Sequence, residues 1–154
     1  MNIPEVRSEY LVAKLNLYAF ALTPGSGKTF NSKKHPRIID IDRAVSYTPE
    51  LLKLMSENKW KKVLKIKSDS LENHVIANYT DKTGNLILLV HAPEEAKYVN
   101  ATLLGAYKIP YDKMIETKGN SKWAENAWHA AKKYEIKTHE EIGRIINDSI
   151  TKYL

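Results

Sequence analysis

The chain has 154 residues and no cysteine, with 24 Lys and Arg against 18 Asp and Glu for a net charge of +6. A chain this long suits one ordinary domain and can hide about 70% of its unfolded surface, so it needs neither disulfides nor metals to fold. The missing thiols exclude zinc-thiolate fingers, iron–sulfur centres and thiol nucleophiles, while 43% hydrophobic and 27% charged residues exclude collagenous, mucin-like and wholly disordered chains.

Residues 1–9 carry two Glu and no apolar run, which predicts no secretory signal. No apolar stretch approaches the roughly 20 residues of a membrane helix, so the expectation is a soluble, cytoplasmic protein without membrane contact. Residues 17–22 form a continuous apolar run closed by Thr23-Pro24-Gly25-Ser26-Gly27, the pattern of a strand buried on both faces. A second run, Ile38-Ile39-Asp40-Ile41, follows Pro36. Thr48 and Pro49 open a helix as N-cap and first residue, with Leu51, Leu52, Leu54 and Met55 at helical spacing. Residues 63–67 alternate apolar residues with Lys and fit either an edge strand or the end of a helix. Residues 86–90 give the clearest strand after the turn Thr83-Gly84-Asn85, and Pro93-Glu94-Glu95-Ala96 starts a helix directly behind it. A weaker strand covers 103–109. Trp123, Ala124, Ala127, Trp128 and Ala131 make a helical stripe. Thr138-His139-Glu140-Glu141 reads as a capping box for a last helix whose face is Ile142, Ile145, Ile146, Ile150 and Leu154.

Strands alternating with helices predict one α/β domain over residues 1–154, with a four- or five-stranded, mostly parallel sheet. The run 17–22 is expected at its centre, flanked by 38–41 and 86–90. Ligands in such sheets bind beyond the carboxyl ends of the strands.

The segment that carries chemistry is Leu22-Thr23-Pro24-Gly25-Ser26-Gly27-Lys28-Thr29, which lies where a phosphate-binding loop belongs, directly after a strand. Gly25 and Gly27 permit a tight turn that aims successive N–H groups at one point. Lys28 can reach β- and γ-phosphates, and Thr29 can offer its hydroxyl to Mg²⁺. Two features depart from the Gly-x-x-x-x-Gly-Lys-Ser/Thr pattern: Leu22 stands where its first Gly belongs, and Pro36 leaves the following helix little room.

With this loop the chain resembles the small P-loop nucleoside/nucleotide-kinase-like NTPases that bacteriophages and other viruses encode. The loop Pro24-Gly25-Ser26-Gly27-Lys28-Thr29 is the specific part of the likeness. Ile38-Ile39-Asp40-Ile41-Asp42 is similar to the Asp-x-Asp strand end of shikimate-kinase-like and polynucleotide-kinase-like proteins. The strand 86–90 with Ala92-Pro93-Glu94-Glu95, and the helix led by Thr138-His139-Glu140-Glu141-Ile142, follow in the family's order. The resemblance implies a three-layer P-loop fold, ATP or another NTP with Mg²⁺, and a nucleotide or other small hydroxyl compound as phosphate acceptor. If the source is viral, the host cytoplasm is implied. It assigns Pro24 through Thr29 to nucleotide binding, Thr29 and Asp40 to Mg²⁺, and Lys28 and Asp42 to catalysis, Asp42 facing the acceptor hydroxyl. Placed two apart on a strand, both acids are expected on one face of its carboxyl end.

Against this reading, no Arg occurs between Arg43 and Arg144, where such kinases carry an Arg-rich lid; Lys97 and Lys108 are the candidates to substitute, and a Lys is not a bidentate fork. His91 stands where an acid is expected after the strand 86–90, and a strand-end residue bonded to backbone is its expected role. Glu94 and Glu95 are expected only to serve a helix start, and His35 to lie on the surface. Trp123 and Trp128 are expected in core packing rather than base stacking. The five histidines form no zinc or phosphoesterase pair. Two other functions compete: a degenerate P-loop domain without turnover, acting as a viral accessory or structural protein, and a nucleic-acid binder using Lys59, Lys61, Lys62, Lys65 and Lys67 around Trp60.

Overall fold

Alternation along one strand divides the interior in two. In β1 (Leu15–Leu22), Leu15, Leu17, Ala19 and Ala21 join one core, and Phe20 and Leu22 join another on the opposite face. The computed structural model describes residues 15–79 and 83–154. The expectation about residues 1–9 therefore falls outside the described residues. After β1 come α1 (Lys28–Ser32), β2 (Ile38–Asp40), α2 (Ile41–Ala44), α3 (Pro49–Ser56) and α4 (Trp60–Asn78). Then follow β3 (Gly84–Val90), α5 (Pro93–Tyr98), β4 (Thr102–Lys108), α6 (Tyr111–Lys118), α7 (Lys122–Ala130), β5 (Glu135–Ile136) and α8 (His139–Tyr153).

The five strands form one parallel sheet in the order β2-β3-β1-β4-β5. Leu51, Val63, Leu71, Val75, Ala96 and Val99 from α3, α4 and α5 cover one face. Met114, Ala124, Ile142 and Ile146 from α6, α7 and α8 cover the other. Residues 86–90 of β3 are buried, which is why they read as an unbroken apolar run rather than an alternating one.

One expected neighbour relation is wrong. β1 is central and pairs with β3, but its second neighbour is β4; β2 lies at the sheet edge and pairs only with β3 among the described residues. The reason is length. Asp40 caps α2 by accepting the Asp42 N–H at 3.0 Å, so β2 stops after three residues and Ile41 is helical. The seven-residue strands β3 and β4 offer β1 longer ladders. Residues 63–67 are not a strand but the first turns of α4.

The caps form as the sequence suggests. Thr48 Oγ1 accepts the Leu51 N–H, and Thr138 and Glu141 bond each other's backbone N–H groups reciprocally. Chain direction then opens the crevice that matters. The connection leaving β1 runs to the β3–β2 side, and the one leaving β4 runs to β5, so the carboxyl ends of β1 and β4 mark a topological switch point.

Candidate functional site

The loop after β1 is built around two left-handed glycines, Gly25 at φ 81° and Gly27 at φ 95°. A Cβ on Gly27 would stand 2.8 Å from Asn31 Nδ2, which donates to Gly27 O. Ser26, fully buried between them, shares a 2.8 Å bond with Thr23 Oγ1 and accepts the Ile109 N–H, tying the loop to the end of β4. His139 Nε2 sits 2.7 Å from Gly25 O, so the last helix anchors the loop from its other side. Leu22, where the phosphate-loop pattern wants Gly, is the last residue of β1; its backbone is extended and needs no glycine. Pro24, in the turn itself, is buried. The following helix, α1, is only five residues long, as the nearness of Pro36 predicts.

Lys28 folds back over this loop. Its Nζ donates to Leu22 O at 3.3 Å and Thr23 O at 3.5 Å and stands 4.0 Å from Asp42 Oδ2. Thr29 Oγ1 donates to Asp40 Oδ2 at 3.0 Å. Asp40 and Asp42 do not share a strand face as expected: Asp40 ends β2, and Asp42 lies in the first turn of α2. They converge because the Asp40 side chain caps the helix that carries Asp42. Thus Lys28, Thr29, Asp40 and Asp42 meet beyond the carboxyl ends of β1 and β2.

Three further residues complete the cluster. Tyr47 OH donates to Asp42 Oδ1 at 2.8 Å. His91, at the end of β3, places Nε2 2.9 Å from the same oxygen, at ion-pair distance but off the line of a hydrogen bond. On the other side of the ring Lys67 Nζ lies 2.8 Å from His91 Nδ1 and 2.6 Å from Glu95 Oε2. An ammonium can only donate, so Nδ1 accepts and the ring proton resides on Nε2, facing Asp42. Glu95 Oε1 also accepts the backbone N–H of His91 and Ala92. The expectation of backbone bonding thus describes the His91 N–H but misses its imidazole, and Glu95 is a buried ionic partner as well as a helix cap.

The charges tune one another. Burial works against the Asp42 charge, but His91, Lys28 and Tyr47 outweigh it and hold the carboxyl well below its ordinary range. Burial lowers the Lys28 pKa, with Asp42, Asp40 and Glu95 pulling the other way. Burial also lowers His91, aided by Lys28 and Lys67 and opposed by Asp42 and Glu95, so the ring is neutral at pH 7. Burial and the Asp42 charge push the Tyr47 phenol far up, leaving it a hydrogen-bond donor.

Neither candidate Lys for the place of an Arg lid contacts the cluster among the described residues. Lys108 is buried, donates to Trp128 O at 3.1 Å and lies 3.7 Å from the Trp128 ring centroid. Lys97 is exposed on α5 and makes no described contact with the cluster. The cation beside the loop is Lys118, exposed at the end of α6, whose side-chain stem passes 3.3 Å from where a Gly25 Cβ would be. Trp128 packs as expected, with Nε1 donating to Ile109 O. Trp123 does not: it is 47% exposed and meets His91 edge-on. The basic cluster is also split, because Lys67 points inward while Lys59, Lys61, Lys62 and Trp60 are exposed and Lys65 pairs with Asp69.

Lys67 was findable in the sequence. Val63, Lys67, Leu71 and Val75 recur every four residues, so this Lys lies on the buried stripe of its helix. His91 and Glu95, four apart across a strand end and a helix start, carried a weaker signal. Tyr47 and Lys118 had none.

Among the described residues no group of three or more His, Asp or Glu could by itself hold a metal ion. The oxygens of Thr29 and Asp40 nevertheless suit Mg²⁺, which keeps several waters and takes one or two protein oxygens besides phosphate. Because the Thr29 hydroxyl donates its proton to Asp40, its lone pairs stay available to a cation. No helix of the described residues is long and apolar enough to cross a membrane. No family model and no curated protein matches the chain.

Proposed function

We propose that this chain binds a magnesium nucleoside triphosphate at residues 23–29 and transfers its terminal phosphoryl group to a small hydroxyl acceptor. The observation that carries the reading is the meeting of Lys28, the Thr29–Asp40 pair and Asp42 at one end of a parallel sheet, around a loop with two left-handed glycines. Parallel sheets collect ligands at this end, and a phosphate loop needs these side-chain types.

Lys28 now satisfies itself on two loop carbonyls at long distance, contacts that a phosphate oxygen outcompetes through charge. Thr29 and Asp40 would hold Mg²⁺, which when bound draws charge from the β- and γ-phosphates. In the transfer the acceptor oxygen bonds to the γ-phosphorus, the bond from that phosphorus to the β,γ-bridging oxygen breaks, and the nucleoside diphosphate leaves. The acceptor proton passes to the Asp42 carboxylate. Asp42 is a weak base while Lys28 and His91 hold its charge, but a loose transition state releases this proton late and asks mainly for orientation. His91 and Tyr47 fix that orientation from two sides.

A second reading, nucleotide binding without turnover, is favoured by one observation. No described hydrogen bond or ion pair joins an Arg to the cluster: Arg37 bonds Asn85 O and Thr83 O, Arg43 faces the recess on the other side of Asp40, and the cation whose stem passes Gly25 is Lys118. Calorimetry with Mg-ATP and Mg-GTP on the native chain and Lys28→Ala tests both. Saturable binding lost in the variant, with ADP formed from a panel of nucleosides and monophosphates, supports transfer. Binding without product supports the second reading, and no binding at millimolar nucleotide removes both.

A further inference from the structure

A second recess of about 350 Å³, which shares Asp40 with the cluster above, runs along the β2 edge of the described sheet, from the turn that enters β2 (His35, Pro36) to the helix that leaves it (Arg43). His74 and Tyr79 of α4 and its C-cap form the facing wall. Its polar groups share one character. The Arg43 guanidinium is exposed and pairs with no described residue. His35 Nδ1 accepts the Arg37 N–H at 3.0 Å, which leaves the ring proton on Nε2 as a donor. Burial and the neighbouring Arg43 charge hold His74 neutral, and its Nδ1 faces Asn78 Nδ2 at 3.4 Å, so its donor is also Nε2. Asp40 is the one acid lining the recess among the described residues. Its Oδ2 accepts from Thr29 and its Oδ1 from the Asp42 N–H, which offsets its repulsion of an anion.

The other walls are apolar and fixed. The Tyr79 hydroxyl is bonded to Pro36 O at 2.6 Å, and the Arg37 guanidinium lies 5.5 Å from the Tyr79 ring centroid. Pro36 and Ile38 extend that wall. A recess of this size sits at the small end of ligand sites, and its mix of one fork-shaped cation, two imidazole N–H donors and a rigid apolar wall selects for both ends of a ligand.

From these groups we infer that the edge recess binds a small phosphomonoester, with the phosphate on Arg43, His35 and His74 and the organic body against Tyr79 and Pro36. The inference does not rest on the phosphate-loop reading. Phenyl phosphate, inorganic phosphate and phenol serve as probes at constant ionic strength, followed through the ¹⁵N-resolved histidine ring and Arg side-chain signals of the full chain. The expected result is saturable movement of His35, His74 and Arg43 signals with either phosphate, tighter for phenyl phosphate, and none with phenol. Arg43→Gln, an exposed position, should weaken this at least about tenfold. His74→Gln should weaken it less. Lys28→Ala should leave it unchanged, whether or not the loop binds nucleotide. Movement abolished by Lys28→Ala, insensitivity to Arg43→Gln, or equal affinity for the two phosphates would each overturn the assignment.

Discussion

Two regions at the same end of the sheet bury lysines in different ways. Among the described residues Lys28, Lys67 and Lys108 are 6%, 7% and 6% exposed. At the end of β4, Lys108 is held by an aromatic face and a carbonyl and has no described anion beside it. At the ends of β1 and β3, Lys67 is locked to Glu95 at 2.6 Å and His91 at 2.8 Å, whereas Lys28 has only carbonyls at 3.3 and 3.5 Å and a carboxylate at 4.0 Å. A buried charge costs stability unless closely paired. Lys67 meets that demand with a carboxylate, and Lys108 offsets the cost with an aromatic face and a carbonyl in place of an anion. Lys28 meets it poorly, and a poorly satisfied buried cation next to a glycine loop is the one available to an incoming anion.

The largest effect should come from breaking the tight pair. Glu95→Gln strands the Lys67 ammonium and removes the charged cap of two N–H groups, and should cost about 3–5 kcal/mol in urea unfolding. The double variant Lys67→Met/Glu95→Gln should recover part of that loss; a Glu95→Gln cost below about 1 kcal/mol would mean that Lys67 is not held as described. Next is Lys28→Ala. It should change stability by no more than about 1 kcal/mol, because burial penalty and weak contacts nearly cancel, yet lower Mg-ATP affinity about 10- to 100-fold. A large stability loss would place Lys28 in the same structural class as Lys67 and end the contrast.

Lys108→Met has no expected effect on ligand binding and acts on stability alone, keeping the volume but giving up the ring and carbonyl contacts. About 1–2 kcal/mol is expected, with nucleotide affinity unaltered. The mildest test is pH. Burial lowers the His91 pKa in the folded chain, so the unfolded chain binds the extra proton. Stability is therefore full above about pH 6.5 and falls as pH drops below it, by at most about 1.4 kcal/mol per pH unit from this group. His74 is depressed as well and adds the same sign, so the informative quantity is the difference between the native chain and His91→Asn. Asp42, whose folded pKa is also lowered, adds a loss only below about pH 4. An identical pH profile in His91→Asn would show that the ring is not buried neutral.

Much of the scaffold was readable from local pattern. β1 and β3 announced themselves as unbroken apolar runs because both of their faces are covered, and Thr48 and Thr138 announced two helix starts because an orphan N–H needs an oxygen there. Short elements were not readable: β5 has two residues and no periodicity, and α6 lacked a cap signal. β2 was found but misplaced, since a three-residue strand carries no information about which neighbour it pairs with. Within the site, the loop and both acids were legible as residue types at a spacing. Their convergence depends on a helix cap made by Asp40, which the Asp-x-Asp pattern suggests only as strand geometry.

By itself, then, the sequence determined an α/β alternation, the glycine–lysine–threonine loop behind a buried strand, and the absence of thiol chemistry. These follow from φ/ψ preference, hydrophobic period and composition, all local properties. Only the tertiary structure decided that β4 rather than β2 flanks β1, that Lys67 turns inward to Glu95 and His91, that Lys108 lies under Trp128, and that Lys118 passes Gly25. Each of those is a pairing between residues distant in the chain, set by which strands lie side by side and by which buried charge finds a partner.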